Sequence, residues 1–502
     1  MADDGTYFQP SVRLPLPIVD GSKEFRQYKT LLERMDEILR QSGVDDAFVQ
    51  HALRQEHARV DEIGKPLTDR RRASVQRFAI QSLRCAIARI LSGESHRKFS
   101  IHLGDSILLK EFCHYNFIDV KKAPAKSTLQ RMEDSVPSDF LEHITAQLIR
   151  TAAMTDEDGK SVLKLDQPVD LTTVWLDSTC AKLDIHFPAD WSLLRDGVRS
   201  IMHSIMVIRS HGLVHRLPDP YSFGTEINKH AMAMAGASRR GRGGNKKKQR
   251  KKTLRAMKKL VGKVIGHGKR YRTILAEHWS ETDLSEAQAA QIIKRLDHLL
   301  ALLPKAARQA HERIIGERVV PNEEKILSLY QPHAQVYVRG KAGADTEFGL
   351  QMLLCESAEG LILDCTLTED EVAADSTLLL PAIYRMRRLF GNDAVRAAVT
   401  DRGFASADNS KALKEAGVVD FTAPRSPAKL EERMLDESFR QAQRRRAQTE
   451  ARIGIFKAGF VGERIPTKSK EAQHRYVAWA RLAHNLWVLA RLETIDLSTE
   501  AA

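Results

Sequence analysis

The sequence has few cysteines, and they are scattered. Five cysteines occur in 502 residues, with no Cys-x-x-Cys pair, at Cys85, Cys113, Cys180, Cys355 and Cys365. The odd count argues against a secreted disulfide framework. No zinc-ligand spacing joins these cysteines to the 18 histidines, so we expect reduced, mostly buried thiols.

Long apolar runs are also lacking. No stretch approaches the roughly 20 apolar residues that a membrane helix needs. The first residues, MADDGTYFQP, are acidic and polar, unlike the cationic and apolar start of a signal peptide. With 42% hydrophobic and 28% charged residues, the composition is that of an ordinary globular protein. The sequence therefore predicts a cytoplasmic protein that makes no contact with a membrane.

Acidic residues are in deficit, since 78 Lys and Arg stand against 65 Asp and Glu. In residues 239–259, RRGRGGNKKKQRKKTLRAMKK, 12 of 21 residues are basic and none is acidic. A charged run is often only a solvated surface, but like charges this dense repel one another unless an anion neutralises them. The run therefore predicts contacts with the phosphate backbone of DNA, which position DNA without reading its sequence. The candidate residues are Arg239, Arg240, Arg242, Lys246, Lys247, Lys248, Arg250, Lys251 and Lys252.

Apolar periodicity divides the chain into regions of different character. After an irregular lead-in, residues 21–165 follow a helical period, which favours either a helix-turn-helix type of DNA reader or an ordinary helical domain. From about 170, short β-branched and apolar runs such as LTTVWL and VRAAVT predict strands that alternate with helices. The first and second of these strands are separated by a helical stretch. This order predicts an α/β fold with a mixed sheet covered by helices.

Three acidic residues occur in distinctive surroundings: Asp177, Asp401 and Glu450. Each aspartate follows an apolar run that we interpret as a strand ending there, and Glu450 lies in a basic helix predicted over about 428–458. Taken singly, each aspartate is equally consistent with a turn former and with a metal ligand. Together, carboxylates from two strands and a helix supply the oxygen ligands with which two Mg²⁺ ions clamp a phosphodiester.

The predicted helix around Glu450 also carries cations. Arg446 and Lys457 would lie within roughly 40° of Glu450 around the helix axis. The alternative is an exposed ladder of ion pairs, which is common on helix surfaces. Gly454 on the same face weakens the helix, which indicates close packing or the close approach of a ligand.

These motifs, in this order, resemble those of bacterial insertion-sequence DDE transposases, in the RNase H-like recombinase class. The matching blocks are Asp177-Ser-Thr, Asp401-Arg-Gly-Phe and Glu450-x-x-Ile-Gly-x-x-Lys457, and residues 325–343 resemble the family's lead into its second strand. Arg446, Glu450 and Lys457 fit the family's signature of Tyr, Arg, Glu and Lys, but Gln443 stands at the tyrosine position. The resemblance covers about 170–490.

The resemblance implies a division of the chain into regions. An RNase H-like mixed-sheet core would comprise 166–220 and 321–492, interrupted by a basic helical insertion over 221–320. An all-α domain for DNA binding or dimerisation would occupy 21–165, between a lead-in over 1–20 and a C-terminal tail over 493–502 at the far end.

The resemblance also implies residue roles. Asp177, Asp401 and Glu450 would hold two Mg²⁺ ions, with Mn²⁺ as a substitute, while Arg446 and Lys457 would contact DNA. Four other acids rank lower because they fall outside the matching motifs: Asp184, Asp190, Asp364 and Asp420. Cys180 and His186, near Asp177 in sequence, are interpreted as packing or hydrogen-bonding residues, because soft ligands suit magnesium poorly.

The implied activity is Mg²⁺-dependent hydrolysis at transposon ends, followed by transfer of the 3′-hydroxyl ends into target DNA. The implied partners are double-stranded DNA, as terminal inverted repeats and as target, and a second copy of the chain when assembled on DNA. The expected location is the bacterial cytoplasm, in association with the nucleoid. Two alternatives stay open: a catalytically inactive DNA-binding protein derived from a transposase, and an RNase H-like nuclease without strand transfer.

Overall fold

The computed structural model describes residues 21–62, 64, 66–115, 123–217, 219–238, 244–338, 346–368 and 371–494. The predicted lead-in over 1–20 and most of the tail over 493–502 lie outside these residues. The chain divides into two compact units. The first comprises 1–181, 351–368 and 373–502, and the second comprises 182–350 and 369–372.

The first unit begins with helices. Where the structure describes residues 21–165, the predicted helical period corresponds to seven helices, several of which start at a capping serine or threonine whose hydroxyl accepts a backbone N–H bond. They are α1 Lys23–Gln41, α2 Val44–Glu62, α3 Asp69–Leu91, α4 His96–Asp105, α5 Ile107–Phe112, α6 Lys126–Asp134 and α7 Ser138–Ala153.

The second unit is mainly a group of four helices that pack around one apolar core. They are α8 Asp190–Ser210, α9 Pro220–Ser238, α10 Gly244–His278 and α11 Glu286–Ile314. Apolar side chains at three- and four-residue steps face inward on each helix, among them Ile201, Ile227, Met257 and Leu296. The predicted helical stretch over 221–320 lies within this unit.

The strands form one mixed sheet, which confirms the predicted α/β class. Its order is β2–β3–β1–β5–β6, with β4 paired to β3. β1 pairs with β5, and β5 with β6, in parallel; β3 pairs with β2 and β4 in antiparallel fashion. The strands are β1 Thr173–Lys182, β2 Gln335–Val338, β3 Thr346–Glu356, β4 Ile362–Leu367, β5 Ala397–Val399 and β6 Val419–Asp420.

The prediction that the first strand ends at Asp177 is wrong. β1 continues to Lys182. Asp177 and Ser178 are half-buried, and the strand continues after them with the buried residues Thr179, Cys180 and Ala181. Asp177 therefore lies inside a strand. It is nevertheless beyond the part of β1 that pairs with β5, which ends at Trp175.

The remaining helices of the first unit are α12 Asp375–Phe390, α13 Ala407–Glu415, α14 Pro427–Arg433, α15 Glu437–Phe456 and α16 Lys470–Leu489. The prediction of a single helix over about 428–458 is wrong, because the helical conformation is interrupted between α14 and α15. Asp436 causes the restart: its carboxylate accepts the backbone N–H groups of Ser438 and Phe439 as the N-cap of α15. α16 packs Trp479 into the core, with only 1% of that residue exposed.

Two expectations from composition can be compared with the structure. Cys85, Cys113, Cys180 and Cys355 are buried and Cys365 is half-buried, all as free thiols, which confirms the cysteine prediction. In the described part of the chain, no helix has both the length and the apolar character required to cross a membrane.

Gly197→Ala should destabilise the second unit. An added Cβ would lie 2.5 Å from Leu303 Cδ1 and 3.0 Å from Leu329 Cδ1, so the gain in helix propensity is outweighed by overpacking that costs about 1–3 kcal/mol. The control is Gly224→Ala in α9, where the new Cβ meets nothing within 4 Å and should stabilise by up to about 1 kcal/mol. Urea denaturation measures both; the account fails here if Gly197→Ala is also neutral or stabilising.

Candidate functional site

Asp177 and Asp401 lie at corresponding positions on neighbouring parallel strands. β1 pairs with β5 so that Thr173 is opposite Ala397 and Trp175 is opposite Val399. The same offset, continued by two residues, aligns Asp177 with Asp401. Both aspartates therefore lie two residues beyond the paired segments, at the carboxyl-terminal edge of the β1–β5 pairing.

The backbone around each aspartate orients its carboxylate. The Ser178 amide donates to Asp177 Oδ1 at 2.8 Å, and the Gly403 amide donates to Asp401 Oδ1 at 2.8 Å. A Cβ on Gly403 would lie 3.0 Å from Asp401 Oδ1. Gly403, two residues after Asp401, therefore leaves room for that carboxylate.

The predicted acids interact electrostatically. Burial, followed by the negative charge of Asp401, raises the pKa of Asp177 to about 6. That value already includes opposing contributions, since the Ser178 amide and Arg446 lower the pKa and Glu450 raises it. Asp177, Asp401, Glu450 and Arg446 thus share one electrostatic environment.

Asp375 is an additional carboxylate at this edge that sequence reasoning missed. Its Oδ2 would lie 3.0 Å from a Cβ on Gly403, as does Asp401 Oδ1, so the two carboxylates face the same small space. Burial raises the pKa of Asp375, and the neighbouring Asp401 adds to this, while hydrogen bonds from Ser178 and Gln351 oppose it. A possible signal was its Asp-Ser-Thr frame, which repeats that of Asp177; as the first residue of α12, it looks like an ordinary helix start.

α15, which carries Glu450, is attached to the sheet by a buried ion pair. Arg445 Nη1 and the Thr449 hydroxyl both donate to Glu356 Oε1 at 2.8 Å. Glu356 is only 4% exposed. The second amino group of Arg445 donates to the carbonyls of Ser357 and Ala358 at 3.0 Å. These bonds fix the middle of α15 against the end of β3.

Gln443 attaches the same helix to the ends of two other strands. Its amide nitrogen donates to the carbonyl of Thr400 at 3.1 Å and to that of Phe421 at 2.5 Å. Thr400 immediately precedes Asp401, and Phe421 immediately follows β6. A third bond joins β1 to α15, since Trp175 Nε1 donates to the Ala442 carbonyl at 3.1 Å. Gln443 therefore fixes the position of α15 relative to the ends of these strands.

The predicted cationic face of α15 is realised in part. Arg446 is half-buried and Glu450 is exposed, but Lys457 follows the last residue of α15, in a π-helical turn over Lys457–Val461. Its ammonium group donates to Thr179 Oγ1 at 3.1 Å. Since residues two apart on a strand share a face, Lys457 lies against the side of β1 that carries Asp177.

Gly454 has no packing explanation. A Cβ at this position would meet nothing within 4 Å, and the residue is exposed. Of the two explanations that the sequence left open, close packing is therefore excluded. The close approach of a ligand remains.

Three of the lower-ranked acids hold the fold together. Asp190 accepts from Arg313 at 3.0 Å and from Gln309 at 2.9 Å. Arg385 donates to Asp364 at 2.7 Å, and Asp420 accepts from Ser410 and from the Thr422 amide. The exposed Asp184 accepts from Gln331 through its backbone carbonyl. Of the two other residues considered, Cys180 is buried and His186 is exposed.

Oxygen donors of the kind that Mg²⁺ prefers are present at this edge. Across the described ranges, no three His, Cys, Asp or Glu side chains are gathered into a metal-binding group. The pair Asp177 and Asp401 nevertheless fits a divalent cation. Burial and the negative charge of Asp401 already disfavour the charged form of Asp177. A cation between them would relieve that repulsion.

The predicted basic run lies in the second unit. Lys246, Lys247, Lys248, Arg250, Lys251 and Lys252 occupy the first turns of α10, whereas Arg239, Arg240 and Arg242 lie outside the described residues. Lys247 and Lys251 pair with Glu317, at 2.8 and 2.5 Å. Their hydrogen bonds lower the pKa of this exposed carboxyl to about 2.

Arg445→Met tests the attachment of α15. The change leaves the buried Glu356 with the Thr449 hydroxyl and with Arg452 Nη1, 3.8 Å away, so the free energy of unfolding should fall by about 3 kcal/mol. Adding Glu356→Gln removes the orphaned charge and should restore most of the loss. Urea denaturation of the single and double variants decides; equal stability of Arg445→Met and the parent would refute the attachment.

Asp177→Asn should stabilise the metal-free protein at neutral pH. The folded-state pKa of Asp177, about 6, exceeds its ordinary value of 3.8, so ionisation disfavours folding and stability is lost as pH rises through that interval. Above pH 6 the variant should be more stable by about 1–2 kcal/mol, after allowance for partial exposure, and below pH 4 the difference should vanish. Urea denaturation in EDTA measures this. The exposed Asp393→Asn is the control, and a difference that does not vary with pH would count against the shift.

Comparison of the chain with protein-family models, with curated proteins and with solved structures finds no match in any of the three. Its function is therefore inferred from its own residues and their geometry.

Proposed function

We propose that this chain is a DDE-type DNA transposase with an RNase H-like catalytic core. The observation that carries the proposal is the pair Asp177 and Asp401, which lie two residues beyond the paired segments of adjacent parallel strands and share one electrostatic environment with Glu450. Their order along the chain and their motif frames are those that resemble the transposase family. The mixed sheet, with a helical unit between β1 and most of β3 in sequence, is compatible with this core.

The proposed roles follow from the positions of the side chains. Asp177 and Asp401 would hold Mg²⁺, with Glu450 as the third ligand from α15. Bound magnesium would supply Lewis-acid stabilisation of the attacking and leaving oxygens of a phosphodiester. Gln443 and Arg445 hold α15 so that Glu450 stays on the side of the helix near the two aspartates.

The cations at this edge would bind the phosphate that reacts. Arg446 already interacts with Asp177, and Lys457 is held beside β1 by Thr179. Between these two cations lies Gly454, whose missing side chain leaves the helix surface open to a close ligand. Lys and Arg in such positions neutralise phosphate charge and orient the backbone.

The remaining parts would serve DNA binding and assembly. The basic start of α10 would contact DNA backbone, and the helices over 21–165 would recognise the element's ends. Since two transposon ends must be joined, two copies of the chain are expected on the DNA. The proposed location is the bacterial cytoplasm, with the protein bound to the nucleoid.

Asp401→Asn tests the proposed chemistry. The chain should cut duplex DNA that carries the element's terminal repeats in the presence of Mg²⁺, and should join a pre-cut 3′-hydroxyl end to a second duplex. Loss of one metal-binding carboxylate should lower both rates by at least about 100-fold. Asp393→Asn, at an exposed position, should leave both rates unchanged.

The products separate the three candidate functions. Cutting and joining that both depend on Asp401 support the transposase. Cutting without joining identifies a nuclease. DNA binding with neither reaction identifies a catalytically inactive relative. Undiminished cutting by Asp401→Asn removes this residue from the site.

A further inference from the structure

α10 presents a continuous basic stripe to solvent, and the stripe extends beyond the run noted in the sequence. Its exposed cations recur at steps of three, four and, at the end, seven residues, which places them on one side of a helix. The stripe consists of Lys248, Lys252, Arg255, Lys259, Lys263 and Arg270. At 1.5 Å per residue, it is about 33 Å long.

The charge of this stripe is not neutralised within the protein. From 244 to 276 the chain contains no Asp or Glu. Among the described residues, the side chains of Lys248, Lys252, Arg255, Lys259 and Lys263 form no ion pair, in contrast to Lys247 and Lys251, which pair with Glu317. Aligned cations of this density are stable beside a polyanion that neutralises them.

Two glycines interrupt the side chains of the stripe. Gly262 and Gly266, one helical turn apart, lie on the same side of α10 between Lys259 and Arg270. An added Cβ at either position would meet nothing within 4 Å. Glycine is the least favourable helix residue after proline, so packing does not explain why this helix has glycine at these two positions.

A third glycine in α10 provides the contrast. At Gly268, which is buried, an added Cβ would lie 3.0 Å from Ile201 Cγ2 and 3.1 Å from Leu300 Cδ2. The close packing of α10 against α8 and α11 therefore requires this glycine. Gly268 thus faces the neighbouring helices, whereas Gly262 is exposed and Gly266 half-buried, each with open space where a Cβ would lie.

We propose that the phosphate backbone of duplex DNA lies along this stripe and makes its closest approach at Gly262 and Gly266. Without side chains at these positions, a phosphate can reach the helix surface and be flanked by Lys259 and Lys263. The stripe is about as long as one turn of B-DNA, roughly 34–36 Å. The choice of DNA over another polyanion rests on the proposed function.

The geometry of α10 argues against a membrane surface as the partner. A helix that binds a membrane inserts an apolar face among the lipids. In α10 the apolar residues, such as Leu254, Met257 and Val264, are buried in the core of the second unit. The face that remains available is charged and lacks large apolar side chains.

The decisive variant is Gly262→Ala combined with Gly266→Ala in the full chain. The two methyl groups favour the helix, so the melting temperature should hold or rise, whereas affinity for a 30-base-pair duplex should fall several-fold. The plot of log affinity against log salt should become shallower by roughly 1–2 units, as phosphate contacts are lost. Binding is measured by fluorescence anisotropy in EDTA, with a duplex that lacks the terminal repeats.

Gly224→Ala in α9 is the matched control, because it makes the same change at a helical glycine with open space around its Cβ, on a helix without a basic stripe. It should leave affinity and salt dependence unchanged. Lys259→Gln with Lys263→Gln should also flatten the salt dependence, which keeps the test independent of the glycines. Unchanged binding by the double-alanine variant, or an equal loss in Gly224→Ala, would overturn the proposal.

Two competitors check the nature of the partner. Competition by duplex DNA, but not by vesicles of anionic phospholipid, supports the proposal. Stronger competition by the vesicles, or by single-stranded RNA, overturns it. Because binding is measured without Mg²⁺, this result is separate from catalysis. Loss of binding in the double-alanine variant would support the role of the stripe even if the protein cut no DNA. Normal cutting with unaffected binding would exclude the role of the stripe and leave the proposed function in place.

Discussion

The candidate site depends on a buried carboxylate that has nothing to do with substrate. Glu356, at the end of β3, accepts from Arg445 and Thr449 one turn apart on α15, and a buried acid left without its cation is strongly destabilising. The helix is therefore tightly constrained in position along this edge of the sheet. Gln443, by bonding to the strand ends beside Asp401 and after β6, fixes the same helix at a second point.

This rigid attachment allows like charges to be held together. Asp177 and Asp375 each lie near Asp401, and burial together with the negative charge of Asp401 raises the pKa of both. A site arranged in this way is less stable without a cation than with one. The proposed phosphodiester site would need such an arrangement, because its ligands must be in place before the ion and DNA arrive.

The sequence was most informative where chemistry and local pattern coincide. Asp401, after a short buried strand and before a glycine, could be placed correctly, and the α/β class followed from alternating strands and helices. The continuation of β1 through Asp177 could not be predicted, because the polar pair Asp177 and Ser178 resembles the end of a strand. Asp375 and the role of Gln443 depend on contacts between residues far apart in the chain, and the break before α15 depends on one capping aspartate. Single-residue patterns carry no information on such contacts.

We propose that Asp177 and Asp401, with Glu450, form one divalent-cation site. The most direct measurement is a titration of the protein–DNA complex with Mn²⁺, followed by electron paramagnetic resonance. The signal of free Mn²⁺ falls by the amount of the ion that the complex binds. The parent protein should bind Mn²⁺ in excess of the amount bound by Asp177→Asn and by Glu450→Gln, with Asp393→Asn equal to the parent. Equal Mn²⁺ uptake by the parent and by Asp177→Asn would contradict the account.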